Sequence, residues 1–324
     1  MKILVTGGLG AIGSWLVPEL RRRGHEVWLC DLAHHHDPQY VRCNVAEYRQ
    51  LERIFDQPDD GRPFDMVYHL AAEYGRWNGE DFYETLWSSN VIGTKNLLRL
   101  QEKHRFRQVF FSTSEVYGDW RGVMREDVMD LHEVRQLNDY AMTKWVGEMQ
   151  VMNSAAMAGT ESVRVRLFNV YGPGEKYSAY RSMICRFCYC ALHGLPYTVY
   201  RDHHRSATYV SDVVATLAGI AGRFVPGEVY NVGSAEYHDV KTVSDLVLAY
   251  LGRDDRLVTY ESVEPFTTRD KRVDVSKAER DLGHHPQVTL AEGLARTLDW
   301  MQQYYAVPEP SLHELVAVPP GGGA

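Results

Sequence analysis

The sequence lacks several features that would place it in other large classes of protein. Its 324 residues include 35 Lys and Arg against 43 Asp and Glu, a formal net charge of -8. That balance argues against the clustered basic surface that binds nucleic acid. No apolar run is long enough to span a membrane, and no basic start, apolar stretch and cleavage site indicate a secretory signal. We therefore expect a cytoplasmic protein with neither a nucleic-acid nor a membrane partner.

Cysteine is also scarce. The chain has five cysteines, an odd number, and Cys30 falls in a predicted buried strand, so we expect free thiols in a reducing compartment. Cys185, Cys188 and Cys190 lie close together, but no second pair stands at zinc spacing. We predict no metal site.

The first half of the chain alternates short apolar strands with amphipathic helices. This alternation predicts the α/β class, with a doubly wound, Rossmann-type parallel sheet in residues 1–168. Beyond it, shorter pieces and recurrent Gly and Pro predict a smaller mixed region, 169–307, at the edge of the sheet. Residues 308–324 are predicted to form a mobile tail. The predicted strands cover 3–5, 27–29, 66–70, 109–111 and 163–166, and the predicted helices 12–23, 47–55, 81–103, 140–158, 242–251 and 289–304.

A glycine-rich turn lies between the first strand and the first helix. Gly7, Gly10 and Gly13 allow a tight turn, and the helix that follows points free amides and its positive dipole end at a pyrophosphate. Asp31 follows the second predicted strand, at a position where a carboxylate accepts hydrogen bonds from the hydroxyls of an adenosine ribose. Because Asp31 would repel a 2′-phosphate, the sequence predicts NAD rather than NADP as the cofactor.

Tyr140 and Lys144 stand at positions i and i+4 of a predicted helix, so both side chains lie on one face. A phenol has an ordinary pKa of about 10, and a neighbouring ammonium group together with a positively charged nicotinamide favours the phenolate. Tyr140 is then a general base for a sugar hydroxyl, whose carbon gives up a hydride. Thr113 ends a predicted strand, where its hydroxyl can bond the reacting oxygen.

Together these motifs resemble the extended short-chain dehydrogenase/reductases, a family that includes the sugar-nucleotide epimerases and dehydratases. The resemblance runs from Lys2 to about Tyr304. Two departures are visible: Ala11 replaces an aromatic residue, and Asn44 stands where an aspartate commonly contacts adenine. The matching segments are 69–72, 89–90, 113–118, 166–173 and 274–278, in addition to the glycines and the Tyr–Lys pair.

The resemblance implies roles for further residues. In the cofactor site it adds residues of the turn and of neighbouring strand ends: Ala11, Ile12, Asn44, Val45, Leu70, Ala71, Ala72, Asn90 and Ser112. In the substrate site it implies Asn169 beside the phosphates, Arg205 on the substrate and Arg269 on the pyrophosphate. Region 169–307 would therefore hold most of a nucleotide sugar, with a UDP-sugar favoured. The long helices predict a homodimer, because such helices form a dimer interface in the family.

Ser114 and Glu115, which follow Thr113, are expected to be catalytic and to bear on the reaction that follows oxidation at C4 of the sugar. Dehydratases of the thymidine-sugar type resemble this chain but carry Asp-Glu there, whereas this sequence has Ser114-Glu115. Serine is a poor proton donor to a leaving hydroxide. UDP-glucuronate decarboxylases share Thr-Ser-Glu, and their 4-ketone is a β-keto acid that loses carbon dioxide. The favoured interpretation is oxidative decarboxylation of UDP-glucuronate to a UDP-4-keto-pentose or UDP-xylose, with Arg205 as a partner or proton donor near C5.

Three alternatives stay open. GDP-mannose dehydratases also carry Thr-Ser-Glu, so a 4,6-dehydratase is not excluded, although those enzymes generally use NADP. The stretch after Ala72 is unusual: Arg76 could pair with a substrate carboxylate and Glu73 could repel one, which leaves an epimerase open. The fold could also serve as a non-catalytic NAD-binding scaffold. A scaffold, however, has no need of Thr113, Tyr140 and Lys144.

Overall fold

A parallel β-sheet forms the centre of the protein, of which the computed structural model describes residues 1–56, 64–75 and 81–306. The strands, in chain order, are β1 (Lys2–Thr6), β2 (Glu26–Asp31), β3 (Tyr40–Arg42), β4 (Met66–His69), β5 (Arg107–Thr113), β6 (Ser162–Leu167), β7 (Val170–Tyr171), β8 (Tyr197–Tyr200), β9 (His204–Arg205), β10 (Thr208–Tyr209), β11 (Val229–Val232), β12 (His238–Asp239), β13 (Val258–Glu261) and β14 (Asp270–Lys271). The central sheet has seven strands in the order β11-β6-β5-β4-β1-β2-β3, and all its neighbouring pairs are parallel. This confirms the predicted α/β class with a doubly wound, Rossmann-type sheet.

Helices cover both faces of the sheet. In chain order they are α1 (Gly13–Arg22), α2 (Tyr48–Asp56), α3 (Tyr83–Trp87), α4 (Gly93–His104), α5 (Val128–Leu131), α6 (Asp139–Ala158), α7 (Met183–His193), α8 (Val210–Gly219), α9 (Val240–Leu251), α10 (Ser276–Leu282) and α11 (Leu290–Tyr305). α1 and α8 share one apolar cluster, to which Leu16 and Val213 belong. α2 and α4 contribute Leu51 and Leu97 to a second cluster. Because helices bury both faces, β1 is buried along its whole length, with the apolar Ile3, Leu4 and Val5 at its centre.

The helix that carries Tyr140 and Lys144 has a defined start and a defined end. The Asn138 side chain accepts a hydrogen bond from the backbone N–H of Ala141 at 2.8 Å, which caps α6. The helix ends at Gly159, whose φ of 64° is the left-handed conformation that glycine adopts without strain. α6 also packs closely on β5, since a Cβ on Gly147 would collide with the Phe110 ring. Tyr140 is thereby held on the first turn of the helix.

The long helix predicted over residues 81–103 is interrupted. α3 ends at Trp87, Ser88–Ile92 forms a π-helix, and α4 continues from Gly93. π-helical turns are rare, and they occur frequently at functional sites. The spacing of apolar residues therefore predicted a helix in this part of the chain but not the π-helical turn that interrupts it.

The chain returns to the central sheet well after residue 169. β11 pairs with β6 at the edge of the sheet, and the three smaller sheets join β7 with β10, β9 with β12 and β14, and β8 with β13. The smaller sheets of the predicted mixed region are present. One strand of that region, β11, nevertheless belongs to the Rossmann sheet, so a boundary at residue 168 does not separate the two parts completely. The predicted tail, 308–324, lies outside the described residues. Within the described ranges, no helix is both long and apolar enough to cross a membrane.

Candidate active site

A cavity of about 600 Å³ crosses the carboxyl ends of β1, β4 and β5, next to the point where the strand order reverses. Ligands of open parallel sheets bind at this switch point. Two predicted residues that the structure describes, Asn90 and Arg269, do not line the cavity, and Arg76 lies outside the described residues. The predicted residues that line it are Gly7, Gly10, Ala11, Ile12, Gly13, Asp31, Asn44, Val45, Leu70, Ala71, Ala72, Glu73, Ser112, Thr113, Ser114, Glu115, Tyr140, Lys144, Asn169 and Arg205.

The glycine-rich turn fits the diphosphate of a dinucleotide. Gly7 has a φ of 71°, and a Cβ there would lie 2.7 Å from the backbone nitrogen of Ala71. A Cβ on Gly13 would collide with the carbonyl oxygen of Gly7. No side chain caps the first turn of α1. Because the backbone N–H groups of Ser14 and Leu16 already donate to the carbonyls of Gly10 and Ile12, an anion would be bound by the amides of the turn that precedes them. Side chains at Gly7 and Gly13 would therefore collide with the backbone, and the turn needs glycine at both positions to keep its shape.

Asp31 and Asn44 differ in how much of their hydrogen-bonding capacity is free for a cofactor. The two Asp31 carboxylate oxygens accept from the backbone N–H groups of Leu9, at 3.0 Å, and Leu32, at 2.7 Å. Each oxygen keeps a further lone pair, which suits the two hydroxyls of a ribose. The Asn44 side-chain oxygen accepts from the backbone of Ala46 at 3.0 Å. Asn44 therefore also stabilises the turn that leads into α2.

Tyr140 and Lys144 enter the cavity from consecutive turns of α6, and Thr113 lines the same cavity. Burial raises the pKa of Tyr140 above its ordinary value; the Thr113 side chain opposes the rise, and the Glu115 carboxylate adds to it. Burial also lowers the pKa of Lys144 to about 8, against a smaller opposing effect of Glu148. The protein surroundings thus favour a protonated phenol, which becomes a base only where additional positive charge stabilises the phenolate.

Glu148, one turn beyond Lys144, is the centre of a buried network that the sequence analysis did not identify. Its carboxylate accepts from the Ser112 hydroxyl at 2.5 Å, from two Arg166 nitrogens at 2.9 Å and from Arg164 at 3.3 Å. Burial opposes ionisation of Glu148, but Arg166 and Ser112 outweigh it and lower its pKa. The sequence contained one indication of this role: Tyr140, Lys144 and Glu148 are spaced four residues apart, which places all three side chains on the same face of the helix.

Glu115, predicted to be catalytic, forms an ion pair with Lys271 of β14. The Lys271 side chain is almost fully buried, whereas part of the Glu115 side chain remains accessible. Asn138, the cap of α6, lies 3.5 Å from the other Glu115 oxygen. The carboxylate is therefore held between β14 and the start of the catalytic helix, and Lys271 is a further site residue that the sequence analysis missed.

Arg205 lines the cavity, but Arg269 does not. One Arg205 nitrogen lies 3.2 Å from the Glu264 carboxylate, and another donates to the carbonyl oxygen of Arg269 at 2.7 Å. The Arg269 guanidinium is exposed and pairs with Asp202 at 3.2 Å. The Arg269 carbonyl thus positions Arg205, while its own side chain lies outside the cavity, and its predicted contact with the pyrophosphate stays a prediction. Asn169 does line the cavity, and its amide donates to the carbonyl of Ser206 at 2.8 Å.

Asn90 lies behind the cavity wall rather than in it. Its side-chain oxygen accepts from the Glu73 backbone N–H, and its amide nitrogen donates to the Glu73 carbonyl and to the Thr143 hydroxyl, each at 2.9 Å. Asn90 therefore ties the segment after β4 to α6, between Tyr140 and Lys144. Its predicted direct contact with the cofactor stays a prediction, and the contacts that the structure shows are with Glu73 and Thr143.

The fold and the cavity at its switch point are those of a dinucleotide-dependent enzyme, with Tyr140 and Lys144 in the same cavity as the glycine-rich turn. The chain belongs to the NAD dependent epimerase/dehydratase family, whose model matches residues 3–233. It is an NAD-dependent enzyme of nucleotide-sugar metabolism, as the sequence predicted.

Known relatives catalyse different reactions. The chain is 30% identical to the UDP-N-acetyl-alpha-D-glucosaminuronate decarboxylase of Bacillus cytotoxicus, over 93% of this chain and 98% of the relative. It is also 30% identical to the dTDP-glucose 4,6-dehydratase of Neisseria meningitidis serogroup B, over 92% of both chains. The solved structure of MoeE5 in complex with UDP-glucuronic acid and NAD is 30% identical, with a TM-score of 0.81 over 94% of this chain and 100% of that one.

Proposed function

We propose that this protein oxidises UDP-glucuronate at C4 and releases its C6 carboxylate as carbon dioxide, which yields a UDP-4-keto-pentose or UDP-xylose. The observation that carries the proposal is the wall beside Thr113 and Tyr140, where Ser114 takes the place of a carboxylic acid. A dehydratase has to protonate a leaving hydroxide at C6, and serine is a poor acid for that step. Loss of carbon dioxide needs no acid at C6. The similarity to a hexuronate decarboxylase supports the same choice.

Oxidation at C4 uses the residues at the end of β5 and on α6. Thr113 and Tyr140 both hydrogen-bond the reacting hydroxyl, and Tyr140 takes its proton once positive charge stabilises the phenolate. NAD supplies the hydride acceptor. Lys144 provides positive charge below its pKa of about 8, and Glu148 lies one turn further along the helix.

Decarboxylation follows from the chemistry of the 4-ketone. The electron pair of the C5–C6 bond moves into the C4–C5 bond as carbon dioxide leaves, and the ketone oxygen takes up the negative charge. Thr113 and the protonated Tyr140 donate hydrogen bonds to that oxygen, which stabilises the enolate. C5 then takes up a proton. Arg205, held by Glu264, contributes positive charge on the same cavity.

The test is incubation of the protein and NAD with UDP-glucuronate labelled at C6. Release of labelled carbon dioxide is the expected result, and a product that keeps all six carbons would instead indicate an epimerase or a dehydratase. UDP-N-acetylglucosaminuronate is tested in parallel, because its C2 substituent distinguishes the two hexuronates. Tyr140→Phe is the control: it removes the base and should abolish oxidation while NAD still binds. Tight NAD binding without turnover of any nucleotide sugar would favour the scaffold.

A further inference from the structure

One wall of the cavity contains a positively charged side chain, that of Arg181, to which neither the sequence analysis nor the proposed function assigns a role. Arg181 lies just before α7 and lines the cavity together with Tyr74, from the segment after β4. Its guanidinium carbon is 3.9 Å from the centroid of the Tyr74 ring. Stacking of this kind fixes the plane of an arginine while its donors remain in that plane, directed outward.

The backbone enforces the stacked arrangement. Gly75 has a φ of 103°, and a Cβ there would lie 2.8 Å from the carbonyl oxygen of Tyr180. The segment after β4 is therefore pressed against the residue that precedes Arg181, and only glycine allows this approach. Arg181 and Tyr74 belong to distant parts of the chain, so the contact has to be made by the fold.

Arg181 has unused hydrogen-bonding capacity. Its Nε is buried and has no hydrogen-bond partner, which is costly for a charged donor unless a ligand or water supplies an acceptor. None of the ion pairs of the described residues joins Arg181 to a carboxylate, whereas Arg205 is paired with Glu264. The Glu175 carboxylate, whose charge interacts with that of Arg181, accepts from the backbone N–H and hydroxyl of Ser182, at 3.1 and 2.9 Å. Burial raises the pKa of Glu175, and Arg181 opposes that rise.

The position of Tyr74 connects Arg181 to the reacting end of the cavity. The neighbouring Glu73 backbone is held by Asn90, which also binds Thr143 between Tyr140 and Lys144. The segment after β4 thus lies beside the catalytic helix. A group bound by Arg181 is accordingly expected on the sugar, near the carbon that Tyr140 serves.

We propose that Arg181, stacked on Tyr74, is the residue that recognises the carboxylate of a hexuronate substrate and selects it over a neutral hexose. The inference rests on the proposed function for the identity of the anion. A guanidinium with free donors in its plane matches the two oxygens of a carboxylate. The alternative anion, the diphosphate, is shared by every UDP-sugar, so the two are distinguished by comparing ligands.

The test measures binding rather than turnover. In the Tyr140→Phe protein loaded with NAD, calorimetric dissociation constants are determined for UDP, UDP-glucose and UDP-glucuronate. Arg181→Met is expected to weaken UDP-glucuronate about tenfold to a hundredfold, while UDP and UDP-glucose change by less than about threefold. Arg256→Met is the matched control, because Arg256 is exposed, pairs with Asp254 and does not line the cavity. It should leave all three constants unchanged.

Two further variants keep the outcome interpretable. Arg181→Lys retains the charge without the planar fork and should lose part of the preference for UDP-glucuronate; it decides the matter if Arg181→Met does not fold. Tyr74→Leu removes the stacking surface and should weaken UDP-glucuronate selectively. Equal losses for all three ligands would assign Arg181 to the diphosphate, and unchanged constants would remove it from the site; both overturn the proposal. A selective loss in a protein that releases no carbon dioxide would preserve this inference and refute the proposed reaction.

Discussion

In the proposed mechanism Lys144 has to remain charged to assist Tyr140, and burial of Lys144 lowers its pKa to about 8, so this charge is lost not far above neutral pH. Its side chain is almost fully buried, and its ammonium nitrogen lies 4.8 Å from the centroid of the Phe110 ring. Burial lowers its pKa to about 8, whereas Glu148 acts in the opposite direction.

The pH dependence of Lys144→Met should report this charge. Because the pKa of Lys144 is lowered to about 8, the ammonium form is present below that pH and is lost above it. The variant should be slower than the native protein by about a hundredfold or more at pH 7, and the gap should narrow as the pH rises past 8. The measurement is the single-turnover rate of C4 oxidation from pH 6 to 10, a range chosen to bracket the pKa of about 8. A gap that is constant across the range would show that the charge of Lys144 is not what assists Tyr140.

Residues with local geometric requirements were predictable, and residues whose partners lie far along the chain were not. Gly7 and Gly13 followed from the turn, and Tyr140 with Lys144 from the helical repeat. The sequence did not indicate Lys271 or Arg181. The residues that they contact, Glu115 and Tyr74 respectively, are far away in the sequence. Nothing in the pattern around either cation marks it as a site residue.

At the scale of the elements, α6, β5 and β6 are joined by charge as well as by apolar packing. Glu148 of α6 bonds Ser112 of β5 and Arg166 of β6, and both the glutamate and Arg166 are buried. A buried ion pair adds little over an apolar pair of the same shape, but removal of one partner leaves an uncompensated charge. The network is therefore expected to fix how the catalytic helix sits on the sheet.

Glu148→Gln should destabilise the fold, because it leaves Arg166 charged and buried without its carboxylate. The expected loss in the free energy of unfolding is about 3–5 kcal/mol, measured by denaturant titration at neutral pH. The double variant Glu148→Gln with Arg166→Met removes the unpaired charge and should recover part of that loss. If the double variant is as unstable as the sum of the two single variants, the pair is not coupled and the charge argument fails.

The break between α3 and α4 shows where periodicity stops being informative. Helical spacing predicted one helix over 81–103, yet Ser88–Ile92 widens into a π-helix around Asn90. Asn90 uses its side chain to hold Glu73 and Thr143, which belong to other elements. Hydrogen bonds between a helix and other elements do not alter the spacing of its apolar residues, so this spacing could not predict the π-helical turn.

At the scale of the whole molecule, an apolar surface of α6 faces outward. Met142, Met149 and Met152 are each more than a third exposed, and Ile92 of the neighbouring π-helix is 52% exposed. Their positions on α6 fall along one side of the helix, opposite the residues that pack on the sheet. An apolar stripe of this kind is unusual on a monomer and is commonly covered by another protein surface.

The exposed stripe on α6 leads to the prediction of a homodimer in which the same helices of two chains pack together. A two-fold interface is self-complementary, so one substitution places two like charges against each other. Met149→Lys should therefore convert a dimer into a monomer, as measured by sedimentation velocity across a range of concentrations. Val225→Lys makes the same change at an exposed apolar residue before β11 and should leave the dimer intact. A native protein that sediments as a monomer at every concentration, or a Met149→Lys variant that stays dimeric, would rule out this interface. The monomer and the dimer should bind NAD with equal affinity, because the residues that line the cofactor end of the cavity all come from one chain.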